Sequence, residues 1–272
     1  MKKILAITLA AMLALIGCLN ASAAFDYRYG DWLLSLQTGG GYSFAVKSYE
    51  GTSDSVTVPD SYGGYPITAV SSYAFAANST LRSVRMNENI TSIGSDAFLS
   101  AKNLEEVVLP VGLTEIGESV FSDTPSLKSV NLQDTAVTEI PAKAFLNSGI
   151  EKLVVPSTVT TIGDNAFAGC DNLTVYVYPD SAMQEYAKAH GINYVTIITY
   201  ILGDANADGI VNVNDVTSVQ RHLAELERLK DIGFLAADVN QDGMADIADA
   251  TVIQMYLAEY EMEYPIGEVI TQ

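Results

Sequence analysis

The sequence predicts a protein of two modules, a mixed α/β repeat solenoid with a β-rich N-terminal cap and a small all-α module behind it. Two observations lead to this prediction. Apolar residues recur with a period of 23 residues through the middle of the chain, and two acidic loops of twelve residues lie near its C-terminal end. Repetition at such a period is typical of solenoids, whose stacked units share one core. The length of 272 residues is sufficient for two separate cores.

The first 23 residues have the pattern of an export signal. Two lysines precede an apolar stretch from Ile4 to Ile16, and residues 21–23 (Ala-Ser-Ala) are a typical cleavage site. The apolar stretch is too short to cross a bilayer, and no later segment is long enough. We therefore expect residues 1–23 to be a signal peptide and the protein to be secreted. One alternative stays open, because Leu15 to Cys18 resembles a bacterial lipoprotein box, which would leave a lipidated Cys18.

Residues 25–66 are expected to form the β-rich cap, because they are rich in Tyr, Val and Thr and contain glycine turns such as 39–41. Aromatic side chains crowd this part of the chain. A platform for stacking sugar rings would explain them, but alternation such as Tyr27-Arg28-Tyr29 is explained more simply by a strand with one packed face. The aromatic residues are Tyr27, Tyr29, Trp32, Tyr42, Tyr49, Tyr62, Tyr65 and Tyr73.

Residues 67–198 are predicted to form the leucine-rich stack and its C-terminal cap. Four apolar positions recur once in each unit, and no unit can bury its apolar face alone, so we expect the stacked units to share one continuous core. One extra residue before Val137 and one fewer before Ile150 interrupt the spacing. The four ladders are Leu81, Leu104, Leu127, Ile150 and Leu173; Val84, Val107, Val130, Leu153 and Tyr176; Val70, Ile93, Ile116, Ile140 and Ile162; and Phe75, Phe98, Phe121, Phe145 and Phe167.

Two units show a specific resemblance. Residues 90–98 (Ile-Thr-Ser-Ile-Gly-Ser-Asp-Ala-Phe) and the corresponding residues 159–167 strongly resemble BspA-like leucine-rich repeats, and the resemblance covers about residues 67–181. Members of that family are typically adhesion or protein-interaction modules without catalytic activity. The resemblance therefore implies that the solenoid binds a partner and catalyses no reaction. It also marks the flanks as caps, with a closing helix predicted from Ser181 to His190 and a final strand over 192–197.

The C-terminal module contains two loops, 204–215 and 238–249, with the spacing of a metal-binding site. Each places oxygen-bearing side chains at positions 1, 3, 5, 9 and 12 and glycine at position 6, which is the layout of a calcium loop of the EF-hand type. The glycine permits a sharp turn, after which the carbonyl of residue 7 can face the ion. We therefore expect two calcium ions. The predicted ligands are Asp204, Asn206, Asp208, the carbonyl of Ile210, Asn212 and Asp215, then Asp238, Asn240, Asp242, the carbonyl of Met244, Asp246 and Asp249.

An amphipathic helix is predicted after each loop, whereas no matching helix is predicted before it. The apolar series with helical spacing are Val216, Val219, Leu223 and Leu226, then Val252, Ile253, Tyr256 and Leu257. This duplicated loop and helix, with Asp at position 12, closely resembles the type I dockerin domain with its two F-hand motifs, over residues 200–266. The resemblance implies binding to a cohesin module of a scaffoldin, within the extracellular polysaccharide-degrading complex called the cellulosome. Because a dockerin already supplies an attachment, we favour simple secretion over a lipidated Cys18.

The same resemblance implies which residues contact the cohesin. In dockerins these contacts come from loop positions 10 and 11 and from the exposed face of the following helix. Here those residues are Val213, Asn214, Gln220 and Arg221 in the first repeat and Ile247, Ala248, Gln254 and Met255 in the second. The two sets share a β-branched residue and a glutamine but differ at Asn214/Ala248 and Arg221/Met255. We therefore expect one preferred binding face, and the greater apolar area favours the second.

Charge and cysteine content exclude some classes of partner and an internal disulfide. Removal of residues 1–23 takes away two of the 14 basic residues and none of the 33 acidic ones, which leaves a net charge of −21. Such a charge argues against nucleic acid or an anionic membrane surface as a partner. Cys170 would be the only cysteine of the processed chain, so no internal disulfide is expected.

No catalytic site is predicted. Cys170 and His190 could form a thiol–imidazole pair, but Cys170 occupies a turn position of the repeat and His190 a helix C-terminus, while His222 is expected at the surface. The glutamates of the repeats are scattered rather than paired as a glycosidase requires. We expect a secreted, noncatalytic adaptor whose solenoid binds an unidentified ligand. A carbohydrate-binding module or a degenerate glycoside-degrading component attached through the dockerin is the alternative.

Overall fold

The structure is a computed structural model that describes residues 26–38, 41–229 and 231–272. The expected signal peptide, including Cys18, lies outside the described residues, as do Gly39 and Gly40 of the expected glycine turn. The chain divides after Thr196 into two compact units.

The first unit begins with antiparallel strands and then changes to parallel pairing. Strands β1, β2 and β3 form a meander, β5 pairs with β6 as a hairpin, and β3 pairs with β6 in parallel. The bounds of these strands are β1 (Asp26–Tyr29), β2 (Trp32–Gln37), β3 (Ser43–Tyr49), β4 (Ser55–Thr57), β5 (Ser61–Tyr62) and β6 (Tyr65–Val70). Parallel pairing from β6 onward is what a stack of coils wound in one direction requires.

Two parallel ladders run through the stack, which has about seven turns. The strands that build them are β7 (Ser83–Arg85), β8 (Ser92–Ile93), β9 (Glu106–Val108), β10 (Glu115–Ile116), β11 (Ser129–Val130), β12 (Glu139–Ile140), β13 (Lys152–Val154), β14 (Thr161–Ile162), β15 (Thr174–Val177) and β16 (Asn193–Thr196). The first ladder joins β6, β8 and β10, and then β12 and β14; the second joins β4, β7, β9 and β11, and then β13, β15 and β16. Each ladder is therefore interrupted once, at the same level of the stack.

The interior of the stack confirms the predicted shared core. The five phenylalanines at the repeated position are at most 4% exposed, and successive ring centroids lie 4.8, 5.4, 5.3 and 5.3 Å apart. The repeated leucine position is equally buried, from Leu81 to Leu173. Because each ring packs on the ring of the next coil, every coil buries the apolar face of its neighbour.

One predicted ladder position is wrong. The 23-residue period assigns Tyr176 to the ladder of Leu153, but in the structure Leu153 pairs with Val175, and Tyr176 pairs with Val154 on the outer face. Val175 is fully buried, whereas Tyr176 is partly exposed. The reason is that the last coil is one residue shorter than the period, and a shift of one residue moves each side chain of a strand to the opposite face.

Adjacent coils approach closely at the glycine that follows the isoleucine of strands β8 and β10. A Cβ on Gly94 would overlap the backbone of Ser71 and Ser72, and one on Gly117 would overlap the backbone of Gly94 and Ser95. Neither glycine has a positive φ, so the constraint is space rather than backbone conformation.

A helix closes the C-terminal end of the stack, as predicted. Helix α1 (Ala182–His190) begins at Ser181, whose side chain accepts a hydrogen bond from the Gln184 N–H, and it ends at Gly191 with φ of 68°. The imidazole Nδ1 of His190 lies 2.9 Å from the carbonyl of Tyr186 in the last turn. Both ends therefore follow ordinary capping rules.

The second unit contains three helices and one short antiparallel sheet among its described residues. Their bounds are β17 (Thr199–Ile201), α2 (Val213–Leu223), α3 (Asp231–Ala237), α4 (Ile247–Leu257) and β18 (Val269–Thr271). Helices α2 and α4 follow the two loops, as predicted. Helix α3, which ends directly before the second loop, was not predicted; its seven residues make it shorter than the helices of eleven residues that follow the loops. Strands β17 and β18 pair with each other and form a clasp that was not predicted.

The predicted apolar stripe of α2 is buried only in part. Val216 and Val219 are buried, but Leu223 is 42% exposed and Leu226 is 73% exposed. The helix ends at Leu223, so the backbone no longer directs Leu226 toward the core. In α4, Ile253 is buried and the last two apolar residues of the series are exposed. Within the parts of the chain that the structure describes, no helix is long and apolar enough to cross a membrane.

Candidate functional site

The first acidic loop is organised by the carboxylate of Asp204. Its Oδ1 accepts a hydrogen bond from the backbone N–H of Asp208 at 3.1 Å, and its Oδ2 accepts one from Gly209 at 2.8 Å. Gly209 has a φ of 89°, which glycine adopts without strain and which turns the chain sharply at this point. The carboxylate at position 1 therefore shapes the turn around itself.

Asp215, at position 12, closes the same loop from the first turn of α2. The residue is fully buried, and its two oxygens accept hydrogen bonds from the backbone N–H groups of Asn206 at 3.0 Å and Asn212 at 2.7 Å. Asn212 in turn caps α2 by accepting from the Asn214 N–H at 2.8 Å. This reciprocal capping box fixes the end of the loop to the beginning of the helix.

The second loop repeats this hydrogen-bond pattern. Asp238 accepts from the N–H groups of Asp242 at 3.1 Å and Gly243 at 2.9 Å, and Gly243 has a φ of 90°. Asp249 is fully buried and accepts from Asn240 at 3.2 Å and Asp246 at 2.8 Å. Asp249 gains one further bond, from the Val239 N–H at 2.8 Å. The two loops thus have the same internal framework.

Burial raises the pKa of Asp215 and of Asp249 above the ordinary value of an aspartate. Carboxylates nearby raise both values further: Asp204 and Asp208 act on Asp215, and Asp238 acts on Asp249. The backbone hydrogen bonds act in the opposite direction. None of the salt bridges formed by the described lysines and arginines involves either carboxylate. Each loop is therefore a concentration of negative charge without a cationic side chain.

The donors of both loops fit calcium. No group of three or more His, Cys, Asp or Glu side chains is gathered as a ready-made metal cluster among the described residues. The loops instead combine carboxylate, amide and carbonyl oxygens, and such a mixed set of hard donors is what calcium takes in EF-hand-type loops. The absence of sulfur and imidazole in the set argues against zinc.

All eight residues expected to contact a cohesin are exposed. Val213 is 67% exposed, Ile247 62% and Met255 40%, and the remaining five are Asn214, Gln220, Arg221, Ala248 and Gln254. Sequence reasoning gave Ile210 and Met244 only a carbonyl role, yet their side chains are also exposed, by 66% and 57%. The signal that could have identified them is an apolar residue directly after the loop glycine. Each loop therefore presents two large exposed apolar side chains, Ile210 and Val213 in the first and Met244 and Ile247 in the second.

The structure places Cys170 and His190 along one cleft of about 370 Å³, but it does not join them chemically. The Cys170 thiol donates to the carbonyl of Phe145 at 2.9 Å, and burial raises its pKa to about 11. The His190 imidazole stacks on the Tyr186 ring with centroids 3.9 Å apart. A thiol with such a pKa is a poor nucleophile near neutral pH. His222 is half-buried, and its Nδ1 accepts from the Leu229 N–H at 3.2 Å.

The aromatic residues near the N-terminal end of the stack differ in burial. Tyr27 and Tyr49 are buried, and Tyr27 packs edge-on against Phe44 at 5.1 Å. Trp32, Tyr62 and Tyr65 are half-buried. Tyr29, Tyr42 and Tyr73 are 48%, 39% and 60% exposed and leave aromatic faces at the surface.

Comparison with known proteins identifies both units. Residues 49–187 match the family described as BspA type leucine rich repeat region, in six copies, and residues 202–258 match the dockerin type I domain. No curated protein matches the chain. The range 49–187 is just over half of the chain.

Two solved structures are similar to the first unit. A leucine-rich repeat protein from Bacteroides ovatus is 24% identical, with a TM-score of 0.50 over 56% of this chain and 40% of that chain. The leucine-rich repeat protein of T. pallidum (TpLRR) is 23% identical, with a TM-score of 0.49 over 56% of this chain and 71% of that one. At 24% identity the likeness to the Bacteroides ovatus structure concerns the fold alone. The chain therefore belongs to the BspA-type leucine-rich repeat family and carries a type I dockerin domain behind its repeats.

Proposed function

We propose that this protein is a secreted, noncatalytic adaptor of a cellulosome-type complex. Both of its modules are of noncatalytic types, and a dockerin implies calcium binding and a cohesin partner. In this proposal the dockerin holds a scaffoldin cohesin in a calcium-dependent way, while the repeats bind a protein, cell-surface or substrate ligand. The observation that carries the proposal is the duplicated loop framework, since each copy leads into a helix that begins with an exposed β-branched residue.

Each loop holds one calcium ion in this proposal. The ion supplies positive charge that the loop lacks, and the buried carboxylates Asp215 and Asp249 are held for it by backbone N–H groups. The ligands of the first ion are Asp204, Asn206, Asp208, the Ile210 carbonyl, Asn212 and Asp215. Those of the second are Asp238, Asn240, Asp242, the Met244 carbonyl, Asp246 and Asp249. The second set contains four carboxylates and the first contains three, so the second loop binds calcium more tightly.

The cohesin binds one preferred face of the dockerin. Around α4 this face presents Ile247, Ala248, Gln254 and Met255, while the equivalent face around α2 presents Val213, Asn214, Gln220 and Arg221. The Arg221 guanidinium donates to Glu227 at 2.9 Å, so part of its hydrogen-bonding capacity is already used. The face around α4 has more exposed apolar area and no charged side chain among its four residues. Apolar anchors of this kind dominate the energy of compact interfaces.

Binding of a cohesin to single variants tests this assignment. Ile247→Asp places a charge in the preferred face and is expected to weaken binding at least about hundredfold, whereas Val213→Asp is expected to have a much smaller effect. Val111→Asp is the matched control, because Val111 is an equally exposed valine of the solenoid, 69% exposed. Calorimetry in excess calcium and in excess chelator gives both the affinity and its metal dependence. Equal, small losses for both dockerin variants would show that the two faces are interchangeable.

A carbohydrate-binding module or degenerate glycoside-degrading component attached through the dockerin remains the second candidate. The exposed rings of Tyr29 and Tyr42 favour it, because aromatic faces at a surface can stack on sugars. Sedimentation of the full chain with insoluble cellulose and xylan, compared with a Tyr29→Ala/Tyr42→Ala variant, tests this candidate. If the native protein sediments with the polysaccharide and the variant stays in solution, carbohydrate binding belongs to the N-terminal cap.

A further inference from the structure

The second ladder of the solenoid is interrupted between β11 and β13. These strands follow each other in the stack but belong to different sheets. After β11 the main chain turns at Asn131 into a short 3-10 helix, Leu132–Asp134, whose Leu132 is fully buried. The Asn131 side chain fixes this turn to the preceding coil, because its Oδ1 accepts from the Leu109 N–H at 2.7 Å and its Nδ2 donates to the Leu109 carbonyl at 3.0 Å. The main chain therefore leaves the strand directly after Val130.

A groove of about 380 Å³ opens on the outer face at this interruption. Val154 and Tyr176, which are register partners on β13 and β15, provide an aliphatic and an aromatic surface. Ser129 and Gln133 add a hydroxyl and an amide, and Lys128 and Lys152 add two ammonium groups. The residue that broke the predicted periodicity, Tyr176, thus lies in the wall of a groove instead of in the core.

The groove is cationic on a strongly acidic chain. Its lining contains two lysines and no carboxylate, while the net charge of the chain is −19. Lys128 and Lys152 are exposed, and neither forms a salt bridge with any described residue. Glu151 is exposed next to Lys152 in the chain and is the nearest carboxylate in sequence.

Three other carboxylates lie close to the groove residues in the chain or on the neighbouring strand. Glu105 is paired with Arg82, whereas Glu106 accepts a hydrogen bond from the neutral Ser83 hydroxyl at 3.2 Å and Asp134 accepts one from the neutral Asn131 amide at 3.0 Å, so these two keep their charge. None of the three forms a salt bridge with Lys128 or Lys152, so both lysines are available to an anion from outside the chain.

We propose that this groove binds an acidic oligosaccharide, with uronic acid units as the chemical class. A tyrosine ring beside a valine suits the apolar face of a pyranose ring, while the serine and glutamine suit its hydroxyl groups and the lysines its carboxylates. This proposal rests on the proposed function, because it names the ligand class of the solenoid within an adaptor.

Calorimetry with a galacturonic acid trimer and the full calcium-loaded chain tests the proposal. The trimer is expected to bind, and the Lys128→Ser/Lys152→Ser variant is expected to bind at least about tenfold more weakly. Lys102→Ser/Lys143→Ser is the matched control, because it removes the same charge from two exposed lysines outside the groove. Tyr176→Val keeps both charges and is expected to lose affinity through the missing ring. Native binding is also expected to weaken as salt is added.

Several outcomes overturn the proposal. Failure of the native protein to bind the trimer does so, as does equal binding by the groove variant and its control. Equal affinity for a neutral trimer would remove the role of the lysines, and tighter binding of a polyglutamate peptide would assign the groove to an acidic protein segment. Cohesin binding is measured on the same samples. Intact cohesin binding without trimer binding rejects the groove alone, whereas loss of cohesin binding by the native chain rejects the adaptor itself.

Discussion

The solenoid and the dockerin form their cores in opposite ways. The solenoid contains a column of five stacked phenylalanines and no buried charged residue among its described residues. The dockerin has twelve buried apolar residues, five of which are alanines, and it buries the carboxylates of Asp215 and Asp249 completely. The first unit buries almost only apolar side chains, whereas the second has a small core and a large electrostatic cost. We therefore expect the first unit to be stable without a metal and the second to depend on calcium.

Calcium removal gives the largest expected effect, because it acts on one unit only. In excess chelator the repelling carboxylates destabilise residues 200–266, and the helical signal of α2 and α4 is expected to disappear. An ion at about a thousandfold excess over its Kd contributes about 4 kcal/mol, which is a large share of the stability of a small domain. Hydrogen exchange resolved by segment measures both units in one sample.

The control is the solenoid itself, whose amides are expected to keep their protection in chelator. Cooperative loss of both units would show that their stabilities are linked. Unchanged protection of α2 and α4 would show that the apolar core of the dockerin is sufficient without metal.

A cavity in the phenylalanine column tests how far the solenoid depends on its apolar core. Phe121→Ala removes a fully buried ring that packs on Phe98 and Phe145, and we expect the free energy of unfolding of the solenoid to fall by about 3–5 kcal/mol. Val111→Ala, at a 69% exposed position, is expected to change it by less than about 0.5 kcal/mol. Denaturant unfolding with and without calcium measures both variants. A loss that depended on calcium would contradict the separation of the two cores.

A side chain added at a glycine between two coils is expected to reduce stability by less than Phe121→Ala does. In Gly117→Ala the new methyl group would overlap the backbone of Ser95, so we expect a loss of about 1–3 kcal/mol. Gly112→Ala is the matched control, since the nearest atom to its new Cβ is the Glu88 carbonyl oxygen at 3.9 Å. Thermal unfolding distinguishes the two variants. Equal melting temperatures would show that adjacent coils can separate at no cost.

The thiol of Cys170 provides the smallest and most local test. Because burial raises its pKa to about 11, we expect slow reaction with a disulfide reagent at pH 8 and fast reaction after unfolding. The thiol pKa is higher in the folded state than in the unfolded state, so the folded state binds more protons between pH 9 and pH 11. The stability of the solenoid is therefore expected to fall as the pH rises through this window. Cys170→Ser is the control for that decrease. A fast reaction in the folded state would contradict the burial of the thiol.

The sequence was sufficient to predict elements that repeat. The phenylalanine ladder could be predicted because coils of equal length place equal residues one above another, and both loops could be predicted because their donors lie close together in the chain. The clasp of β17 and β18 could not, since its strands are distant in sequence and three residues long. Helix α3 was missed because it has seven residues and a glycine at position 233. Tyr176 was misplaced because a period carries no information about a coil that departs from it.

The exposed faces were predictable to a lesser degree. Spacing along α2 and α4 indicated which side chains lie outward, because the two loops fix where each helix begins. The groove beside Asn131 had no sequence signal, since nothing in the sequence distinguishes this asparagine from an ordinary turn residue. Sequence patterns therefore predict what the repeats share, and the structure is needed where one repeat departs from the others.

The clasp of the dockerin has a mechanical consequence. Ile198 and Gln272 exchange two backbone hydrogen bonds of 2.9 Å, and β17 and β18 continue this antiparallel pairing. Hydrogen bonds in such a pair are perpendicular to the strands. A pull on Ile197 along the strand axis therefore shears all of these bonds together instead of opening them one after another. If the proposed adaptor is pulled through Ile197, the force reaches this clasp before it reaches the acidic loops, which begin at Asp204.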